Sequence, residues 1–141
     1  MNLNAYLHFE DGCREAFEFY RSVFGGDFTI ITTFAEGPDD MPPLPDHEQG
    51  RIMHVSLPVG AGVLMGSDTC SAFGPPPVSG NNFSISISTE SHGETDRVFA
   101  ALAAGGNVAM QPQEMFWGAY FGMCTDRFGV NWMISNEYAI G

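Results

Sequence analysis

Residues 3–26 read LNAYLHFEDGCREAFEFYRSVFGG and decide the fold, because the spacing of their apolar side chains changes once. Over residues 3–9 apolar and polar side chains alternate, which is typical of a half-buried strand. From Asp11 onward the apolar residues recur at helical spacing, Asp11 is in place to cap the helix, and the pair Gly25-Gly26 ends it. The stretch therefore predicts a strand followed by a helix.

Three further strands are predicted after this helix. Residues 28–34 have a β-branched strand pattern, and residues 51–58 and 61–67 form two strands joined by a tight turn at Gly60. Between them, residues 36–48 hold five acids and four prolines, which predicts a mobile loop. The order of elements in the first half is therefore β-α-β-β-β.

The same order returns in the second half. Residues 82–89 alternate strictly, residues 94–104 have one apolar helical side, and Gly105-Gly106 closes that helix 80 residues after Gly25-Gly26. Three more strands are predicted, at residues 108–114, 119–125 and 130–135. We therefore predict one α+β domain, residues 1–141, built from two tandem βαβββ modules at residues 1–69 and 82–141 with a linker at residues 70–81.

The charge of the chain excludes several kinds of partner. The 141 residues carry a formal net charge of -12, and the five basic residues are isolated arginines, with no lysine. Nucleic acids and anionic membranes attract basic patches, which this sequence does not have. We expect neither as a partner, whereas a cationic ligand would be favoured by such a field.

The cysteines and the N-terminal residues indicate the compartment. Cys13, Cys70 and Cys124 are odd in number and widely spaced, which argues against a disulfide framework and a zinc cluster. The first residues carry no basic leader, and no apolar run approaches the ~20 residues of a membrane span. We expect a soluble cytoplasmic protein with three reduced thiols.

Five motifs, spread over nearly the whole chain, resemble a known family. They are Asn4-Ala5-Tyr6-Leu7-His8-Phe9, Arg14 to Tyr20 with Val23-Phe24-Gly25-Gly26, Ile52 to Leu57 with Leu64 to Asp68, Phe116-Trp117-Gly118, and Asp126 to Trp132. The sequence resembles the PhnB-like branch of the vicinal oxygen chelate superfamily, which includes glyoxalase I, bleomycin-resistance proteins and extradiol dioxygenases. One departure is Ala119-Tyr120, where the branch commonly has an acidic residue.

The resemblance implies a curved mixed sheet in each module with a helix on its convex face. It also implies a divalent metal held by His and Glu side chains on the concave sheets. The corresponding positions fall on Asn4, on Asn82 or Ser84, near Met65, and on Met133. None is a histidine or a carboxylate, so we expect no metal and no cofactor.

Proteins of this branch have often been labelled 3-demethylubiquinone 3-methyltransferases. Methyl transfer from S-adenosylmethionine usually depends on a glycine-rich turn between a first strand and a helix. Here the corresponding turn, residues 10–13, has a single glycine. The sequence therefore argues against the methyltransferase label.

The strand phase implied by the resemblance turns polar side chains inward. Candidate catalytic residues are His8 and His54 as acid/base groups and Tyr6 as a hydrogen-bond donor. The candidate substrate-binding residues lie either on the inward faces of the strands or in the aromatic segment after the sixth strand. They are Asn4, Ser56, Ser84, Ser86, Trp117, Phe121 and Met133. Each histidine also has a plain structural interpretation, hydrogen-bonded to backbone or to a serine.

Three functions stay open at this point. The first is a metal-independent enzyme that acts on a small polar or aromatic metabolite. The second is a binding or sequestration protein of the bleomycin-resistance type, for a cationic or aromatic ligand. The third is a metal enzyme in which a one-residue slip of the strands makes His8 and His54 ligands. In all three cases we expect a homodimer, because open sheet edges and apolar faces need to be covered.

Overall fold

The computed structural model describes residues 1–137, which form two compact units. The first unit is Met1–Val78 and the second begins at Ser79. Each unit contains a four-stranded mixed sheet with one long helix. The predicted α+β class with two tandem βαβββ modules is confirmed, whereas the exact module boundaries stay a prediction.

The first unit has the sheet order β1-β4-β3-β2. Strand β1 runs parallel to β4, and the other neighbours are antiparallel. A short 3-10 helix, Phe34–Glu36, follows β2. The elements are β1 (Ala5–Phe9), α1 (Cys13–Phe24), β2 (Ile30–Thr33), α2 (Asp46–Gln49), β3 (Ile52–Val59) and β4 (Gly62–Asp68).

The second unit repeats this topology with the order β5-β8-β7-β6. Strand β5 runs parallel to β8, and β6 and β7 are antiparallel to their neighbours. The elements are β5 (Ile85–Ser88), α3 (His92–Ala103), β6 (Asn107–Met115), β7 (Ala119–Thr125) and β8 (Asn131–Glu137). In the part of the chain that is described, no helix is long and apolar enough to cross a membrane.

Helix α1 covers one face of the first sheet. Phe17, which is fully buried on α1, lies so close to Gly66 of β4 that a Cβ there would come within 2.5 Å of the ring. Glycine is therefore needed for the close approach of helix and sheet. Leu7 of β1 is buried, whereas Tyr6 and His8 are exposed. This places the polar side of β1 on the face away from α1, as the alternation predicts.

Three of the predicted strands are longer than the strands observed. The strand expected at residues 28–34 is β2, which covers only Ile30–Thr33. The first strand was expected over residues 3–9, but β1 begins at Ala5 and Asn4 is an exposed residue before it. The pairing of β1 with β4 begins at Ala5, which is opposite Leu64. The strand expected at residues 82–89 is β5, which covers only Ile85–Ser88 and leaves Ser84 outside.

The expected cap of α1 by Asp11 is wrong. The N-cap residue is Gly12, at φ 124°, so the cap position makes no side-chain hydrogen bond to the helix. Instead Asp68, at the end of β4, accepts a hydrogen bond from the Cys13 N–H (2.9 Å) and one from the Ile52 N–H (2.8 Å). The helix start is thus held by a carboxylate 55 residues away in sequence.

Asp126 is the turn residue that the sequence predicts, and it does more than close the turn. Its Oδ1 accepts hydrogen bonds from the backbone N–H groups of Phe128 (2.8 Å) and Val130 (3.1 Å). Its Oδ2 accepts one from the indole Nε1–H of Trp132 (2.8 Å), a side chain that is 1% exposed. One carboxylate therefore connects the β7–β8 turn to the core of the second unit.

The three cysteines are free and buried. Burial raises the pKa of the Cys124 thiol to about 11, with a smaller contribution from Asp126, and burial also raises the pKa of Cys13. Both are thiols rather than thiolates at neutral pH, so we regard them as apolar core residues.

The acidic loop is more ordered than its composition predicts. Helix α2 overlaps the end of this loop, and the Glu48 side chain is buried, with 3% of its surface exposed. The Glu48 Oε1 accepts a hydrogen bond from the Ser71 N–H at 2.6 Å. This bond joins the loop to the segment after β4.

This contact predicts a loss of stability in acid. The hydrogen bond from the Ser71 N–H holds the pKa of Glu48 below its ordinary value. A group whose pKa is lower in the folded than in the unfolded chain stabilises the fold at pH values above its unfolded pKa. This stabilisation is lost as the pH falls, here below about 5. Glu48→Gln is expected to lower the melting temperature at pH 7, and the gap to the wild type should close as the pH approaches 3.

The pH dependence of the wild type alone does not test this prediction, because the pKa of Asp68 is shifted in the opposite direction to that of Glu48. Burial raises the pKa of Asp68, so ionisation of this group costs stability as the pH rises. Asp40→Asn, at an exposed position of the same loop, is the control and should follow the wild type. A constant gap between Glu48→Gln and the wild type from pH 7 to pH 3 would contradict the assignment.

Candidate functional site

The strand register of the first sheet brings polar side chains together on the face away from α1. Residues directly opposite each other on neighbouring strands share a face. Tyr6 is opposite Met65, which is opposite Ser56, and His8 is opposite Ser67. His54 is two residues before Ser56 and therefore lies on the same face. We call Tyr6, His8 and His54 the Tyr-His cluster.

In the Tyr-His cluster, the ring of Tyr6 contacts the rings of both histidines. The Tyr6 hydroxyl and the His54 Nδ1 are 3.1 Å apart, which is a hydrogen bond. The ring centroids of Tyr6 and His54 are 5.6 Å apart at 26°, and those of Tyr6 and His8 are 5.0 Å apart at 35°. The Tyr6 ring therefore contacts both imidazoles. The three side chains predicted to be catalytic are neighbours; their catalytic role stays a prediction.

Two more hydroxyl groups belong to this face, and the sequence analysis missed them. Ser67 is opposite His8 on β4, and Thr32 is opposite His54 on β2. Ser67 is half-buried and lies between the two histidine-bearing strands. The parity of β4 could have indicated Ser67, since Gly66 faces the helix and its neighbours face away.

This face carries two imidazoles, which are groups able to transfer protons. Imidazole changes its protonation near neutral pH and can both donate and accept a proton. Among the paired positions of the four strands, the face carries hydroxyls, imidazoles and the apolar Ile30, Pro58, Val63 and Met65, but no carboxylate or guanidinium. A small ligand there would meet hydrogen-bonding groups that can move protons.

The other predicted site residues, except Asn4, lie in the second unit. Ser86 is opposite Met133, and Phe121 is opposite Ser135, so the register places Ser86, Met133 and Phe121 on one face. Trp117, in the turn between β6 and β7, contacts Phe121 with ring centroids 6.1 Å apart. The predicted residues thus form one set in each unit. Asn4 and Ser84 are outside the strands.

Tyr120 lies on the opposite face of β7 from Phe121. Its hydroxyl donates to Asp96 Oδ1 of α3 at 2.7 Å, and its ring stacks on that of His92 at 4.3 Å. It therefore faces the helix, on the other side of β7 from Phe121. The hydrogen bond to Asp96 raises the pKa of Tyr120. His92 is an exposed residue at the start of α3.

The donor set does not fit the metal centre that the fold implies. The positions carried over from the superfamily fall on Asn4, on Asn82 or Ser84, near Met65, and on Met133. Their amide, hydroxyl and thioether groups are poor ligands for zinc, nickel or manganese. Within residues 1–137, no three His, Cys, Asp or Glu side chains lie where they could share one metal ion. We derive no step through a metal.

Comparisons with known proteins agree with this architecture. The sequence matches the profile of the family described as 3-demethylubiquinone-9 3-methyltransferase over residues 2–135. It is 31% identical to Protein YjdN of Escherichia coli K12 over 142 aligned residues, which cover 96% of this chain and 95% of that protein.

Solved structures show the same fold. Protein PA1353 of Pseudomonas aeruginosa is 40% identical, with a TM-score of 0.84 over 97% of this chain and 98% of that one. The PhnB protein of Bacillus cereus is 23% identical, with a TM-score of 0.75 over 96% and 99%.

Proposed function

This chain belongs to the family described as 3-demethylubiquinone-9 3-methyltransferase, the PhnB-like branch of the vicinal oxygen chelate superfamily, and within that fold we propose that it is a metal-independent acid/base enzyme. Its substrate would be a small polar or aromatic metabolite. The observation that carries the proposal is the hydrogen bond between Tyr6 and His54 beside the ring of His8.

The proposed roles follow from the chemistry of the side chains. One imidazole takes a proton from the substrate, and the other donates a hydrogen bond or a proton to a substrate oxygen. Ser56 and Ser67 lie on the same face and supply hydroxyl groups for binding. General acid/base catalysis of this kind needs no metal, and it raises a reaction rate by about 10²–10⁴-fold.

The methyltransferase description is not the function that we propose. Each unit has a four-stranded mixed sheet instead of a doubly wound parallel sheet. The turn between β1 and α1 has the single glycine Gly12, so it does not supply the glycine-rich turn that usually holds the phosphate or ribose of a nucleotide cofactor.

Proton exchange with solvent tests the proposal directly. The protein is incubated in D₂O with a panel of small carbonyl compounds that carry a hydrogen on the neighbouring carbon. Breaking that C–H bond sends the proton to an imidazole and leaves an enolate, and the exchanged imidazole returns a deuteron to the same carbon. We expect deuterium to enter at least one compound, as seen by proton NMR.

The matched variants locate the activity. The double variant His8→Gln/His54→Gln should lose the exchange, whereas His92→Gln, in the second unit, should keep it. Circular dichroism verifies that the variants are folded. Equal exchange by the double variant and the wild type, or no exchange with any compound, would overturn the proposal.

A second candidate function is binding of a cationic or aromatic ligand without turnover. It is favoured by Phe116 and Trp117, which are 91% and 49% exposed and contact each other at 5.2 Å in a chain of net charge -12. Aromatic faces attract cations. Stabilisation of the protein by cationic aromatic dyes, weakened by salt and by Trp117→Leu, would support it, and the absence of any stabilisation would rule it out.

We further propose that two chains associate. Strands β1 and β2 of the first sheet and β5 and β6 of the second sheet are edge strands within their sheets. Edge strands and exposed apolar side chains are commonly covered by a partner. Light scattering should give a mass near twice 15.3 kDa, and a monomer at micromolar concentration would contradict this expectation.

A further inference from the structure

We propose that Tyr6 holds neutral His54 in the form that carries its hydrogen on Nε2, so that His54 is the hydrogen-bond donor to the substrate and His8 is the base. This inference rests on the acid/base function proposed above. It changes the role of Tyr6 from a group that touches substrate to a positioning residue.

The direction of the hydrogen bond follows from the two groups that form it. The Tyr6 oxygen and the His54 Nδ1 are 3.1 Å apart, and one of them must supply the hydrogen. A phenol is a good donor and a weak acceptor, whereas the bare nitrogen of a neutral imidazole is a good acceptor. The arrangement O–H···N is therefore favoured over O···H–N.

The tautomer of His54 follows from this direction. A neutral imidazole has one nitrogen with a hydrogen and one without. If Nδ1 accepts from Tyr6, the hydrogen must be on Nε2. His54 then presents an N–H group at Nε2, which suits a substrate oxygen on which negative charge develops.

His8 is placed differently. Its contact with Tyr6 is between ring faces, with centroids 5.0 Å apart and planes tilted by 35°. Tyr6 has a single hydroxyl hydrogen, and His54 receives it. Tyr6 therefore does not hold His8 in one tautomer, and an imidazole that can expose a bare nitrogen is the group that can accept a proton. The two histidines therefore have different roles, because they contact Tyr6 in different ways.

Nitrogen-15 NMR of the imidazole rings at pH 8 tests the inference without any substrate. In the wild type we expect the Nε2–H form of His54, with an Nδ1 resonance shifted by hydrogen bonding. In Tyr6→Phe, which keeps the ring, the Nδ1 resonance should move to that of an unbonded imidazole nitrogen, and the Nδ1–H form should become populated. Folding is expected to survive, since Tyr6 is 39% exposed.

Two variants serve as controls. Tyr120→Phe should move the resonances of its stacked partner His92 but not those of His54. His8→Gln should leave the His54 tautomer unchanged, because the Tyr6 hydroxyl is still present.

The outcomes separate this inference from the proposed function. A wild-type His54 with its hydrogen on Nδ1, or His54 resonances that do not change in Tyr6→Phe, would overturn the inference and leave the acid/base function standing. A correct tautomer combined with no deuterium exchange would instead overturn the proposed function.

Discussion

His8→Gln is expected to lower the rate of deuterium exchange by about 10²–10⁴-fold, the range that one general acid/base group contributes. Glutamine keeps a polar side chain of similar reach but cannot take up or release a proton near neutral pH. His8 is an exposed residue of β1, so the substitution should leave the core intact. The rates are measured at saturating substrate by proton NMR in D₂O.

The single and double variants also test whether the two histidines act together. If His8 and His54 serve the same proton transfer, the double variant should be little slower than either single variant, since groups that act as a unit are not additive. His47→Gln, whose side chain is 71% exposed, is the matched control. A loss of less than about threefold in His8→Gln would contradict the catalytic role.

Asp126→Ala is expected to destabilise the protein by about 3–5 kcal/mol, which is a large part of the stability of a typical domain. The substitution removes the acceptor of two backbone N–H groups, those of Phe128 and Val130, and of the buried Trp132 Nε1–H. Each buried donor that loses its acceptor costs about 1–3 kcal/mol. Urea unfolding followed by tryptophan fluorescence measures the change.

Two substitutions calibrate this effect. Asp126→Asn keeps an oxygen for the turn but turns an NH₂ group toward the Trp132 indole, so an intermediate loss is expected. Asp96→Asn removes a charge at an exposed position, where the carboxylate accepts a hydrogen bond from the Tyr120 hydroxyl. This substitution should change the free energy of unfolding by less than about 1 kcal/mol. A loss in Asp126→Ala no larger than that in Asp96→Asn would contradict the role assigned to Asp126.

The repeat of the fold and one face of the site follow from local spacing. Alternation over residues 3–9 indicates which side of β1 carries Tyr6 and His8, because successive side chains of a strand point to opposite faces. The same period places His54 and Ser56 together on β3. Helix ends at Gly25 and near Gly105 follow from the conformational freedom of glycine, with φ near 80° at both positions.

Contacts between distant segments could not be found in this way. Asp68 replaces Asp11 at the start of α1, and Glu48 is buried against Ser71, because tertiary hydrogen bonds outweigh local preferences. Asn4 lies before β1, since the pairing with β4 begins only at Ala5. The contact between Tyr6 and His54 depends on the order β1-β4-β3, which the spacing of residues does not specify.

The central claim is that side chains of the first sheet transfer protons without a metal, and one measurement tests it most directly. Protein purified without an affinity tag is dialysed against a chelator, its metal content is determined, and its deuterium exchange is compared with that of untreated protein. We predict an unchanged rate at a divalent metal content far below one ion per chain. A lost rate that returns when zinc, nickel or manganese is added would contradict the claim.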